Sequence, residues 1–524
     1  AISNCRTITV TAPATTFSSA YAITGVNTQV NLASGTATFT STLSGTGTLD
    51  NSGTLNLNTG AAVSGFSALN IKGASHIVNV NGTATIAVPM VGFAGSTLST
   101  LNIGPVTGPS NFIPGGTLTN VATISLQKGS MTLNSAVSGV STKFESLAGT
   151  TVNINIGIAG SGTGTIENSG TMNLNSGSSV SGFLNTVGNG LKIIDSGSVF
   201  VNGTATISQI ITGSGAQNNT SITFNPTTSY TTAGEITSVK NITLTRGTFN
   251  ANHAITGFTN FTVTTGTLNL ANTFSGTGAG ATVTNSDIIN FNSTVGAANT
   301  RVASIGTISA NSGSTLNFNQ DVTLTGTSIV GATNNVGTIL NIADGKTLTT
   351  NTAIRNIKTI NVKNDSGVTP AILTLNTGAA ISGFSQLTLD GTLTINSGAS
   401  FTVSTGDNIT GNGSITNSGN LTIDGSNLTL GGNFTNTFTG QMLIKGTPTL
   451  TFNGTDFINA GSITATFSDA NSLPLINVRN VTNLDLASGV IVIGYGGSFI
   501  KTGDYTLIAT GNTSVPPAVG NYIL

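Results

Sequence analysis

Tryptophan is absent from this 524-residue sequence, cysteine occurs once, histidine twice, and Asp, Glu, Lys and Arg together make up only 6% of the residues. Each shortage removes a class of protein. A lone Cys5 forbids an internal disulfide, so stability must come from packing or repetition, and a bridge between two chains is the one disulfide left open. Charge this sparse, against about 25% in an ordinary soluble domain, includes no basic run that would neutralise a phosphate backbone, and no nucleic-acid partner is expected. The net formal charge of −1 also removes the long-range repulsion that keeps copies apart, which favours self-association. His76 and His253 have no partner at metal-ligand spacing, and the Gly-Gly-x-Gly-x-Asp calcium motif does not occur. No P-loop, dinucleotide fingerprint or nucleophile elbow with an acid and a histidine is found either. No metal, cofactor or catalytic residue is expected. No stretch of 18 apolar residues is present, so no membrane-spanning helix is expected. A small residue such as Ala1 is compatible with the position after signal-peptide cleavage.

What is present is strand and turn chemistry. The bulk is Thr, Ser, Asn, Gly, Ala, Val, Ile and Leu, hydrophobic residues reach 37%, and no Glu occurs after Glu235. A disordered chain would be poorer in β-branched residues and richer in charge. Propensity alone therefore gives an all-β fold.

Repetition supplies the architecture. Residues 45–66 read GTGTLDNSGTLNLNTGAAVSGF and residues 162–183 read GTGTIENSGTMNLNSGSSVSGF. Both are followed by VNGTATI, at 80–86 and 201–207, and LNTGAAISGF returns at 375–384. Within a copy, Thr54-Leu55-Asn56-Leu57 alternates polar and apolar, the mark of a strand with one buried face. Asn-Ser-Gly punctuates the strands. Asn51 and Gly53, Asn168 and Gly170, and Asn417 and Gly419 are therefore expected as structural turns, with positive φ at or beside the glycine. Phe66, Phe183 and Phe384 each follow a Ser-Gly pair and are expected to fill the core at corners.

Short strands with frequent turns fit a sandwich or a solenoid. A sandwich domain rarely reaches this length. The expectation is a long parallel β-solenoid, or β-helix, over residues 1–465, with about 20 residues per rung and Asn, Thr and Ser stacked in ladders. Beyond 466 the repeat dissolves, and 466–524 is expected to act as a C-terminal capping or junction segment.

The composition of the whole chain, and the phrase Gly503-Asp504-Tyr505-Thr506-Leu507-Ile508, resemble the passenger domains of Gram-negative autotransporters of the Gly/Thr/Asn-rich adhesin type. That resemblance implies export, an extracellular or bacterial cell-surface location, and adhesion or self-association. The alternating strands of an outer-membrane barrel do not follow residue 508, so a cleaved passenger or a different anchor is expected.

The expected function is a non-enzymatic surface protein, structural or adhesive, that self-associates into a homo-oligomer, a filament or cell-to-cell contacts, with a host or neighbouring-cell surface as a further partner. The alternative is a carbohydrate-active β-solenoid, either a polysaccharide lyase or a hydrolase. Such chemistry needs paired carboxylates, and Asp390, Asp407 and Asp424, spaced by 17 residues, are the candidates for an acidic stack. Thr36-Ala37-Thr38, Thr83-Ala84-Thr85 and Thr204-Ala205-Thr206 have the composition of an ice-binding array, but their irregular spacing predicts no continuous flat surface.

Overall fold

A computed structural model describes residues 1–524 except 12–15, 28, 73–75, 95–96, 106–109, 187–189, 215–218, 293–301, 333–336, 468–474, 479–482, 487, 496–507, 511–521 and 524. Every described element is a β-strand. No described helix is long and apolar enough to cross a membrane. The chain divides into two compact units, residues 1–259 and 260–524, and each is a parallel β-solenoid.

In the first unit most strands pair in parallel with the strand three elements later, while Thr85–Ile86 and Thr206–Ile207 end their stacks. Ile2–Ser3 pairs with Ile23–Val26, Thr7–Val10 with Gln29–Leu32, and Thr16–Ser19 with Thr36–Phe39. Three strands therefore complete a turn, and side chains at like positions stack. The turns vary in length. Val30 pairs with Leu49 and Leu49 with Leu69, but Leu55 pairs with Val78, Met90 with Leu118 and Leu174 with Val201.

The period-2 signal becomes burial directly. Thr54–Leu57 alternates half-buried and buried residues, as do Thr171–Leu174 and Thr315–Phe318. The inward positions are Leu, Ile, Val and Phe with almost no exposed area, each stabilising its rung by roughly 1.5–3 kcal/mol through burial. The two long repeats share three strands at matching positions. Thr48–Asn51, Thr54–Leu57 and Ala62–Ser64 in one correspond to Thr165–Asn168, Thr171–Leu174 and Ser179–Ser181 in the other.

The second unit also stacks its strands in parallel, with partners two or three elements apart. Thr267–Leu270, Ile288–Phe291, Thr315–Phe318, Ile339–Ile342 and Thr359–Val362 stack in register. Phe291 lies on Phe318 with ring centroids 4.7 Å apart and planes 2° from parallel, so aromatic stacking inside the coil follows the rung spacing. Within 466–524, Leu475–Val478 pairs in parallel with Thr449–Phe452, and Val490–Tyr495 with Ser462–Phe467. Residues 503–507 of the Gly-Asp-Tyr-Thr-Leu-Ile phrase lie outside the described residues, and Ile508 opens the strand Ile508–Thr510.

Candidate functional surface

Asn51 ends the strand Thr48–Asn51 and is fully buried. Its Nδ2 donates to the Gly53 carbonyl at 3.1 Å and to the Ile77 carbonyl of the next rung at 3.1 Å, while its Oδ1 accepts from the Gly53 amide at 3.3 Å. Asn168 repeats the pattern, donating to the carbonyls of Gly170 at 3.0 Å and Ser198 at 2.9 Å. Asn417 donates to the Gln441 carbonyl at 3.1 Å, and its Oδ1 accepts from the Gly419 amide at 3.2 Å. Each asparagine closes its own corner and fastens it to the following rung. Asn51 and Asn417 satisfy both ends of the buried amide, whereas the Asn168 Oδ1 has no hydrogen-bond partner among the described residues.

The glycines of these corners serve a different purpose from the one expected. Gly53, Gly170 and Gly419 have no positive φ. They are required because the preceding rung passes against them. A Cβ on Gly53 would collide with the Gly35 carbonyl, one on Gly170 would stand 2.5 Å from the Thr150 oxygen, and one on Gly419 would stand 2.6 Å from the Ala399 oxygen. The side-chain hydrogen bonds of the asparagine turn the chain without left-handed backbone.

Phe66, Phe183 and Phe384 are buried. Phe183 packs against Gly160, where a Cβ would lie 2.8 Å from its ring, and the Phe384 and Phe401 ring centroids are 5.5 Å apart. These rings form part of the core and present no face to a ligand.

The outward positions carry ladders. In the second unit Asn290, Asn317, Asn341 and Asn361 each donate from Nδ2 to the Oδ1 of the asparagine one rung earlier, beginning at Asn269, with every bond 2.7 Å. The column continues through Thr388 and Thr410. In the first unit Asn79 and Asn102 extend a ladder from Asn56 at 2.8 and 2.9 Å. A buried ladder runs through Asn417, Asn436 and Asn459, with bonds of 2.8 and 2.7 Å.

The three Thr-Ala-Thr segments do not stack on one another. Thr36 pairs with Thr16 and Thr54, Thr85 with Ala62, and Thr206 with Ser179. A threonine column does form elsewhere, through Thr323, Thr349, Thr374, Thr394, Thr416 and Thr435. It ends at Ile458 and Asp485.

Asp390, Asp407 and Asp424 occupy three different positions around the coil. Asp390 Oδ1 accepts from the Asn412 amide at 3.1 Å, and Asp407 Oδ2 from the Ser404 amide at 2.6 Å. Asp424 pairs with Lys445 at 3.8 Å and stands opposite it on the adjacent strand. A spacing of 17 is shorter than a turn, so no acidic stack results.

The stacked carboxylates are Glu145 and Glu167, direct partners on neighbouring strands. Lys143 Nζ lies 2.6 Å from Glu145 and 2.8 Å from Glu167, Lys192 lies 3.6 Å from Glu167, and Ser125 Oγ donates to Glu145 at 2.7 Å. Partial burial pushes the Glu145 carboxyl up, but the hydrogen bonds of Lys143 and Ser125 and the charge of Lys143 outweigh it and hold the group below the usual carboxylate range. Partial burial pulls Lys143 down, and its two glutamates outweigh that and raise it. Glu145 therefore carries no proton at neutral pH, whereas a general acid in glycoside cleavage needs a raised value. Sequence reading missed this cluster because its members are 22 residues apart. Glu145 precedes the second long repeat, whose alignment with the first pairs Glu167 with Asp50 instead.

Among the described residues, no group of three His, Cys, Asp or Glu is placed to hold a metal ion. Cys5 is a half-exposed free thiol. No protein-family model matches the sequence, and neither a curated protein nor a solved structure matches it.

Proposed function

We propose that this chain is a structural or adhesive protein of a bacterial surface that self-associates through its outward amide and hydroxyl ladders, in the manner of an exported passenger domain. The observation that carries the reading is the uncharged Asn and Thr column that runs from Asn269 through Asn361 to Thr410 on successive strands. A regular array of outward amides and hydroxyls multiplies a weak contact along its length. A chain of net charge −1 offers little repulsion against another copy.

Sedimentation velocity of the full chain across a range of concentrations tests it. Species larger than the monomer are expected to grow with concentration. They should be unchanged between about 0.05 and 0.5 M salt, because screening acts on charges and the contact has none. A protein that remains monomeric at the highest soluble concentration would overturn the proposal and leave receptor binding as the better account of the surface.

A further inference from the structure

We propose that a second copy of this chain docks on one strip of residues 260–524, strip against strip. This rests on the self-association proposed above and names the surface that performs it. The strip consists of the outward positions of nine stacked strands, from Thr267–Leu270 to Thr449–Phe452. Every outward residue of those strands is Thr, Asn, Ile or Gln. The other long columns lack this continuity. The threonine column ends at Ile458 and Asp485, and the column of Asn56, Asn79 and Asn102 runs on into Ser125, Glu145, Glu167 and Lys192.

The chemistry of the strip selects its occupant. A charged partner would bury its charge against a surface with no counter-charge, which is costly. Asn290, Asn317 and Asn341 each use one Nδ2 hydrogen and one Oδ1 lone pair within the ladder. An amide has two donors and two acceptor sites, so one of each faces outward per rung, about 4.8 Å apart. A surface that meets them rung for rung must alternate donor and acceptor at the same spacing, as another copy of the strip does. Nine rungs give a contact about 40 Å long and two side chains wide, roughly 300 Å² per partner. A standard interface has about 800 Å² per partner. One strip pair is therefore weak, forming in solution only at high concentration, and many copies displayed together strengthen the joining.

The test couples the full chain through Cys5 to maleimide-coated beads and measures clumping. Thr359 lies on the middle rung and Thr388 on the next, so whichever way the two copies run both stay near the centre of the contact and within about two rungs of their counterparts. Wild-type beads are expected to clump. Thr359→Lys with Thr388→Lys, and separately Thr359→Glu with Thr388→Glu, are expected to reduce clumping at least tenfold, and mixing the two kinds of bead is expected to restore it. Thr374→Lys with Thr394→Lys, on the threonine column, should clump like wild type. All variants should keep the wild-type circular dichroism and melting curve. Wild-type beads that stay dispersed would remove the underlying self-association. Lysine-variant beads that clump like wild type would leave self-association standing and overturn this surface. Two inert charge variants that mixing does not restore would overturn the second copy of the strip as its occupant.

Discussion

Replacing Asn436 by leucine should open its corner far more readily than the same change at Asn459, one rung later in the same ladder. Asn436 is fully buried. Its Nδ2 donates to Asn459 Oδ1 at 2.7 Å and to the Ser462 carbonyl at 3.1 Å, and its Oδ1 accepts from Asn417 at 2.8 Å. Leucine keeps the branched outline of asparagine but is bulkier, so the polar loss is the least that the change costs. Three hydrogen bonds disappear, and the Ser462 carbonyl and Asn459 Oδ1 remain buried beside an apolar group. At about 1 kcal/mol per bond, plus about 1–3 kcal/mol for a stranded buried partner, the cost is roughly 4–6 kcal/mol. Asn459 Nδ2 already has no hydrogen-bond partner among the described residues. Asn459→Leu therefore removes one bond and strands only one hydrogen of Asn436, which retains the Ser462 carbonyl, at roughly 1–2 kcal/mol. Solenoid rungs open locally, so global melting would blur the difference. Amide hydrogen exchange at Thr437 and Ser462, whose N–H groups bond to the carbonyls of Asn417 and Gly440, reads the corner itself. Asn436→Leu should speed exchange there by at least a hundredfold, and Asn459→Leu by about tenfold, since 1.4 kcal/mol is a factor of ten. Equal acceleration by the two variants, or less than tenfold for Asn436→Leu, would refute the claim that the ladder bonds hold the corner.

Alanine at Gly170 should destabilise its rung by about 2–4 kcal/mol through collision with the preceding backbone. Alanine at Gly177, where φ is +85° and nothing lies within 4 Å of a Cβ, should cost only the left-handed strain of about 1–2 kcal/mol. Urea unfolding of the two variants checks the order, and a larger loss at Gly177 would contradict the steric reading. In the charged cluster, the folded value of Glu145 lies below its ordinary 4.5. Its contribution to stability is thus present above that value and lost as pH falls through the depressed one. Lys143 is raised above its ordinary 10.5, so its contribution is complete below that value and lost as pH rises through the raised one. Carbon-detected NMR should show Glu145 titrating below 4.5 in the wild type and moving up in Lys143→Met. An unmoved midpoint would mean that Lys143 does not hold the carboxylate.

The strand phase was legible because it is a local property. In Thr54-Leu55-Asn56-Leu57 the polar and apolar residues alternate with the pleat, and the structure buries Leu55 and Leu57. The corner asparagines were legible as turn residues, but the reason for their glycines was not. A close carbonyl such as that of Thr150 against Gly170 belongs to another rung, and nothing within Asn168-Ser169-Gly170 announces it.

The sequence by itself determined the all-β character, the inward face of each strand and the repetition that makes stacking possible. These depend on side-chain type and alternation over a few neighbouring residues. Only the tertiary structure decided which residue lies on which. Turn length changes from one coil to the next, as the pairs Val30 with Leu49 and Met90 with Leu118 show, so no fixed period projects the sequence onto the surface. That is why three aspartates spaced by 17 residues stay apart, while Glu145 meets Glu167 and five asparagines from Asn269 to Asn361 join in one ladder. Backbone pairing between turns sets the register, and each loop adjusts its length to what that pairing requires.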